Sequence, residues 1–326
     1  MTIKRKLLAL CAALAAAGAT TVSLHAAGSA SSAGPVPAMK ARLAAKVPVT
    51  GMARAGDALV AVGDYGTVVR STDNGKSWQQ AEVPVSSLLT AVHFADAQRG
   101  WAVGHGGVVL ATTDGGANWT LQQVLDDKPV LLSVYFASAE RGYAVGAYGT
   151  AWRTEDGGQS WEPMSVGQGR DADLHLNHIF ATRKGALYVA AETGLAFRST
   201  DGGDSWTALK PGVSGSLWGG LEAGDDVVLL GMSGRVLASR NGGDSWRAVS
   251  GDTEQSLTGA VSTADGKLLV VGAGGVMLRG DASGLNAEVR GDRQNLAAVV
   301  LAADGSVVIG GQLGVERLSA STTTSH

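Results

Sequence analysis

Five acidic or amide residues recur at one position: Asp73, Asp114, Asp156, Asp201 and Asn241. Each is followed by glycine two residues later and by Trp78, Trp119, Trp161, Trp206 or Trp246 five residues later. Repeated carboxylates could serve general acid–base catalysis or bind calcium. Copies spread over equivalent units cannot converge on one substrate, and Asn241 fills the position without charge. The spacing therefore predicts a local role: the short side chain accepts hydrogen bonds from the backbone N–H groups that follow it. The glycine supplies a left-handed conformation, and the indole covers the turn.

Other residues offer chemistry of other kinds. Tyr65 or Tyr148 with Glu192 is the nearest approach to a glycosidase that uses a tyrosine nucleophile, but no arginine recurs beside them to hold a substrate carboxylate. His175 and His178 lie three apart, which on a strand places them on opposite faces, so no metal site is expected and no cofactor is implied. Arg99 and Arg141, with Arg70, Arg153, Arg198, Arg240, Arg183 and Lys184, recur in a register that could form a basic patch for carboxylates or anionic head groups. A formal net charge of −3 argues against general affinity for nucleic acid.

The elements that must hold these residues follow from the glycines. The 326 residues include 47 Gly and 8 Trp, with 17% charged residues. Paired glycines, Gly63 with Gly66, Gly104 with Gly107, Gly146 with Gly149, Gly231 with Gly234, Gly272 with Gly275 and Gly311 with Gly314, recur at a spacing near 40, with Gly194 as a variant. Between them lie short β-branched and aromatic runs, as in Leu88–Phe94, Trp101–Val103, Val108–Thr112 and Trp119–Val124. A period of that length with four strands per unit predicts an all-β, seven-bladed propeller spanning 38–318. With the first strand of each unit innermost, the hairpins between second and third strands share a face with the connections between units. That face would carry Tyr65, His105, Tyr148, Glu192 and Met232 as candidate partner-binding residues. The opposite face would carry the acidic turns and the candidate residues Arg99, Arg141, Arg153 and Arg198.

Lys4, Arg5 and Lys6, then an apolar run and small residues up to Ala26, predict a signal peptide over 1–26 cleaved near Ala26. Its removal discards the single cysteine, Cys11, so the remainder must be held by its core without disulfides. Residues 27–37 read as a linker and 319–326 as a polar tail. The seventh unit stops after its third strand, so the segment from Ala38 to Val47 is expected to close the ring as an N-terminal strand. The expected product is a periplasmic or secreted monomer.

The acidic turns resemble the Asp-box, or bacterial neuraminidase repeat, with five matches at fixed offset. Together with Arg99-Gly-Trp-Ala-Val-Gly104 and Arg141-Gly-Tyr-Ala-Val-Gly146, they make the chain similar to the photosystem II stability/assembly factor family of propellers, most closely from Val60 to Trp206. That resemblance implies an exported, non-enzymatic scaffold that binds a membrane protein or its extramembrane loops. It also reaches bacterial propellers that accompany transporters of the resistance-nodulation-division type. The Asp-box alone leaves an alternative, a sialidase-like glycoside hydrolase or a carbohydrate-binding propeller.

Overall fold

The computed structural model describes residues 35–318. Seven antiparallel sheets follow one another along the chain and form the blades of a propeller. Their inner strands are Val49–Ala55, Leu89–Phe94, Leu131–Phe136, Leu176–Ala181, Leu217–Ala223, Leu257–Ser262 and Leu296–Leu301. Among the described residues, blades 1 to 6 have four strands in chain order, and blade 7 has three. The only helical elements among the described residues are 3-10 turns of three residues each. The predicted signal peptide, most of the predicted linker and the polar tail lie outside the described residues.

Sheets stacked face to face bury their second strands on both sides. Ala58–Gly63 and Gly100–Gly104 accordingly read as unbroken apolar runs and are buried throughout. The core is divided among the interfaces between blades: Val60, Val62, Leu89, Leu110 and Trp119 fill the one between blades 1 and 2. A fully buried leucine such as Leu110 contributes roughly 1.5–3 kcal/mol there.

All seven inner strands carry a register shift that skips their second residue, namely Thr50, Thr90, Leu132, Asn177, Trp218, Thr258 or Ala297. A bulge re-aims its side chain. Here it turns polar side chains onto the next blade. Thr50 Oγ1 donates to the Leu89 carbonyl, Thr90 Oγ1 to Leu131, Asn177 Nδ2 to Leu217 and Thr258 Oγ1 to Leu296. Ser133 Oγ accepts from Ile179 N–H, and Ser262 Oγ donates to the Glu222 carbonyl. Neighbouring inner strands are thus stapled by side chain to main chain at every joint from blade 1 to blade 7.

The expected N-terminal closing strand is not formed. Residues Ala38 to Ala41 lie instead on the outer strand of blade 1: Ala38 N–H donates to the Val83 carbonyl, Ala41 N–H to Gln80 Oε1 and Lys40 Nζ to the Gln80 carbonyl. The 3-10 turn Ala44–Lys46 then crosses the start of the last strand, Gly314–Arg317, where Ala44 packs with Val49, Val69 and Val315. The ring closes by face-to-face packing of Val300, Ala302 and Val308 on Leu59, with Met52 and Trp78 against them. A hydrophobic joint suffices because the seventh sheet already stacks on the first as every other sheet does on its neighbour.

Candidate functional site

On one face, each hairpin between second and third strands is docked onto the connection that enters its own inner strand. The first hairpin residue donates its N–H to that connection in every blade: Asp64 to Pro48, His105 to Leu88, Ala147 to Val130, Glu192 to His175, Met232 to Ser216, Ala273 to Ser256 and Gln312 to Asn295. In blades 1 to 6 the next residue, at the tip, has positive φ. That residue is Tyr65, Gly106, Tyr148, Thr193, Ser233 or Gly274. Bulky side chains are disfavoured in that region, yet two tyrosines occupy it, 73% and 76% exposed for Tyr65 and Tyr148.

The hairpins encircle the mouth of a central channel, a cavity of about 460 Å³ lined by all seven inner strands. Trp218, on the bulge of blade 5, lines it and is 39% exposed. With Tyr65, Tyr148, Met232 and Leu313, it gives this face a discontinuous set of exposed large apolar side chains. Tyr148 stands with its ring centroid 4.7 Å from that of His175. Glu192 Oε2 accepts both the backbone N–H of His175 and its Nδ1, each at 2.9 Å. The backbone donation, followed by the ring bond, lowers the Glu192 carboxyl below its ordinary range. Tyr148, His175 and Glu192 form one cluster across blades 3 and 4. Tyr65 and His105 stand apart from it on blades 1 and 2.

His178 is directed elsewhere. Ser133 Oγ receives the Ile179 N–H and is hydrogen-bonded to His178 Nδ1 at 3.2 Å. Across the channel wall, His93 Nδ1 accepts the Phe136 N–H at 3.2 Å. Burial against protein lowers both imidazoles to about 4, and for His93 the nearby His178 adds to the effect.

On the opposite face the acidic turns are self-contained. Asp73 Oδ1 accepts from Ser71 Oγ and from Ser77 N–H, and its Oδ2 from Ser77 Oγ. Asp114, Asp156 and Asp201 repeat this with Asn118, Ser160 and Ser205; Asn241 Oδ1 likewise accepts the Ser245 N–H, but its Nδ2 donates to Ser245 Oγ. The serine hydroxyl, then the serine N–H, holds Asp73, Asp156 and Asp201 at about 2. Trp119, Trp161 and Trp246 donate their indole N–H to the turn glycine carbonyl, while Trp78 packs on the core at the seam of blades 7 and 1 and Trp206 on the core between blades 3 and 4. Before each turn a buried hydroxyl, Ser71, Thr112, Thr154, Ser199 or Ser239, receives the glycine N–H.

The arginines of this face have protein partners. Arg70 Nε donates to the Gly115 carbonyl in the turn of the next blade, Arg153 pairs with Asp204 at 2.6 Å, and Arg198 grips both the Gly242 carbonyl and Asp244. These three clamp one blade to the next. Arg99 and Arg141 pair within their own blades, with Asp96 and Glu155. Arg198→Ala is expected to lose about 1–2 kcal/mol in urea unfolding, since two charge-assisted bonds across blades vanish, whereas Arg141→Ala should change stability by less than about 0.5 kcal/mol.

Trp218 and His93 are not among the residues singled out by the sequence, and His178 was weighed there only as a metal ligand. The available signal for Trp218 was its place on a first strand, outside the repeated Trp position.

A family model described as photosynthesis system II assembly factor YCF48 matches residues 71–128 and 121–279. In structure the chain is similar to YCF48 bound to a D1 peptide, with 16% identity over 87% of this chain and 99% of that one and a TM-score of 0.69. It is similar to YCF48 from Cyanidioschyzon merolae, with 16% identity over 83% and 94% and a TM-score of 0.65. A streptogramin B lyase shares the fold with 10% identity over 84% and 93% and a TM-score of 0.73. A comparison with curated protein sequences finds no match.

Proposed function

The chain belongs to the family of the photosynthesis system II assembly factor YCF48, and from that premise we propose that it is a non-catalytic propeller that holds an extramembrane segment of a membrane protein during assembly. The observation that carries this reading is the set of exposed apolar side chains around the channel mouth, led by Tyr65, Tyr148 and Trp218. Aromatic anchors of this kind supply contact area at low conformational cost. The relative solved with a D1 peptide bound shows that a protein of this family takes a polypeptide ligand. Absence of catalysis fits the local geometry: Glu192, the acid nearest a tyrosine on this face, is engaged by His175.

In the finer reading, the basic and apolar leader exports the chain, and it works as a monomer in the periplasm or outside the cell. Its client is a photosystem subunit or a transporter, the resistance-nodulation-division type included. Arg99, Arg141, Arg153 and Arg198 contribute to the opposite face rather than to the first contact.

A photo-reactive amino acid at Tyr148 should crosslink to a membrane protein in native membranes, and the same group at Asp225, on the opposite face, should not. Recovery of no membrane protein from the Tyr148 position would count against the proposal. Tyr148→Gly should abolish the crosslinked client's binding while leaving stability unchanged or raised by about 0.5 kcal/mol. The relief of positive φ exceeds the extra chain entropy of glycine. Thermal unfolding of that variant separates a lost contact from a lost fold.

A further inference from the structure

Among the described residues, blade 7 shows neither the turn nor the fourth strand that follow the third strand of blades 1 to 5. In blade 1 the turn glycine Gly75 is wedged between Val308 of the preceding blade and Leu59 of its own second strand. In blade 4, Gly203 sits in the same way between Tyr143 and Leu187. The counterparts for blade 7, counted from the hairpin glycines, are Leu269 of blade 6 and Val307 of blade 7. Both line a cavity of about 380 Å³ with Leu268, Leu301 and Arg279.

A second cavity, of about 370 Å³, meets the first at Arg279 and runs outward along Glu316, Arg317 and Leu318. It follows the free edge of the three-stranded sheet. Leu318 N–H points inward to the Val307 carbonyl, so the N–H and C=O of Arg317 point out from that edge. Arg317 is the counterpart of Arg70 and Glu316 of Val69, because Arg70 pairs with Val60 and Arg317 with Val308. Arg70 and Val69 are the residues that pair with the short outer strand of blade 1, Gln79–Gln80.

Arg279 adds an independent sign. It stands four residues after its hairpin glycine, as Arg70, Arg153 and Arg198 do, and each of those clamps the turn of the following blade. Arg279 is exposed and, among the described residues, makes no hydrogen bond or ion pair. Its cationic head borders a slot walled by leucine and valine together with Thr263, Gly280 and Lys267, the last already paired with Asp281.

We propose that this slot is an acceptor for an extended segment of a partner polypeptide, carrying a glycine-containing acidic turn and a short strand, which completes blade 7 by β-augmentation. The acid or turn carbonyl would meet Arg279, the turn would seat between Leu269 and Val307, and the strand would pair with Glu316–Arg317. The chain's own flanks fit poorly. Residues 319–326, Ser-Ala-Ser-Thr-Thr-Thr-Ser-His, carry no glycine, no acidic side chain and no apolar side chain larger than alanine. Residues Ala38 to Ala41 are committed to blade 1 through Gln80 and Val83. The site lies on the rim and stands independently of the partner bound at the channel mouth.

The probe is a fluorescein-labelled synthetic peptide with the sequence of residues 199–210, Ser-Thr-Asp-Gly-Gly-Asp-Ser-Trp-Thr-Ala-Leu-Lys, which fills the corresponding slot on blade 3. Anisotropy with the full-length protein should show saturable binding, weakened at least fivefold by Arg279→Glu and by Leu301→Glu. Neither substitution touches the channel mouth, so crosslinking from Tyr148 should persist in both. No saturable binding up to 1 mM peptide, or equal binding by wild type and both variants, would overturn the proposal. Removal of residues 319–326 should leave the affinity within twofold; a gain above fivefold would assign the slot to the chain's own tail and also overturn it.

Discussion

Gly149→Ala is expected to lose about 2–5 kcal/mol, enough to lower the thermal midpoint by roughly 4–20 °C in a domain of this size. Gly149 has φ +71°, a conformation that costs an L-residue about 1–2 kcal/mol. A Cβ there would also lie 1.7 Å from the Ala172 carbonyl oxygen, a main-chain atom of the connection entering blade 4. That oxygen cannot yield without moving the connection, and overpacking of this kind adds about 1–3 kcal/mol. Gly106→Ala is the matched control. Its φ is +74°, but nothing lies within 4 Å of the added carbon, so only the conformational cost of about 1–2 kcal/mol should appear. Equal losses in the two variants, measured by urea unfolding, would show that the hairpins are not held by the connections.

The second large effect is acid instability centred on the channel. His93 and His178 are lowered from 6.5 to about 4 by burial. A depressed imidazole stabilises the fold fully above its unfolded value of 6.5, and the contribution is lost as pH falls toward 4, because the unfolded chain takes up the proton first. Both rings line the channel and are partly exposed, which moderates the desolvation, so each should lose about 2 kcal/mol by pH 4.5. The turn carboxylates contribute a separate window at lower pH: Asp73, Asp156 and Asp201, held at about 2, lose their stabilisation only below about 3.8. Urea midpoints followed from pH 7 to 4.5 should therefore fall steeply in the wild type. His178→Gln, which keeps a donor and an acceptor but does not titrate, should flatten about half of that slope. An unchanged slope would place the titrating groups elsewhere.

The seven units were legible because the second glycine of each hairpin meets a local demand. Positive φ and the approach of a carbonyl, as at Gly66 against Val85, permit no other residue, so the spacing of glycines reproduces the spacing of blades. The turn aspartates were legible for the same reason, since their partners lie within four residues. What escaped was long-range. The pattern Gly-x-x-Gly in blade 7 looks like the others, yet Gly311 pairs directly with Gly314, whereas Gly63 bonds with Thr67; the last strand is shifted by one residue. No local feature of Ala38–Val47 reveals that Gln80 and Val83 will compete for it ahead of the edge of blade 7. The arginines were recognised as a register, but their acceptors lie more than 40 residues away, so a set of clamps reads from sequence as an open basic surface. Trp218 was hidden by its neighbours: only the bulge, a property of the pairing with blade 5's second strand, turns it into the channel.

The stapled inner strands make the propeller a hoop riveted at six joints and merely pressed together at the seventh. Across the seam of blades 7 and 1, the side-chain bond to main chain is a 3.4 Å contact from Asp304 N–H to Asn74, far from the axis. Six rivets join segments about 40 residues apart, which find each other soon after they are made. The seam must unite segments some 250 residues apart, where a directional bond would demand correct alignment at the moment of collision. Leu59, Val300, Ala302 and Val308 make no such demand; they can meet askew and slide home. The same tolerance fixes where the hoop gives way, for a load that spreads its inner strands meets resistance from hydrogen bonds everywhere except at that one pressed joint.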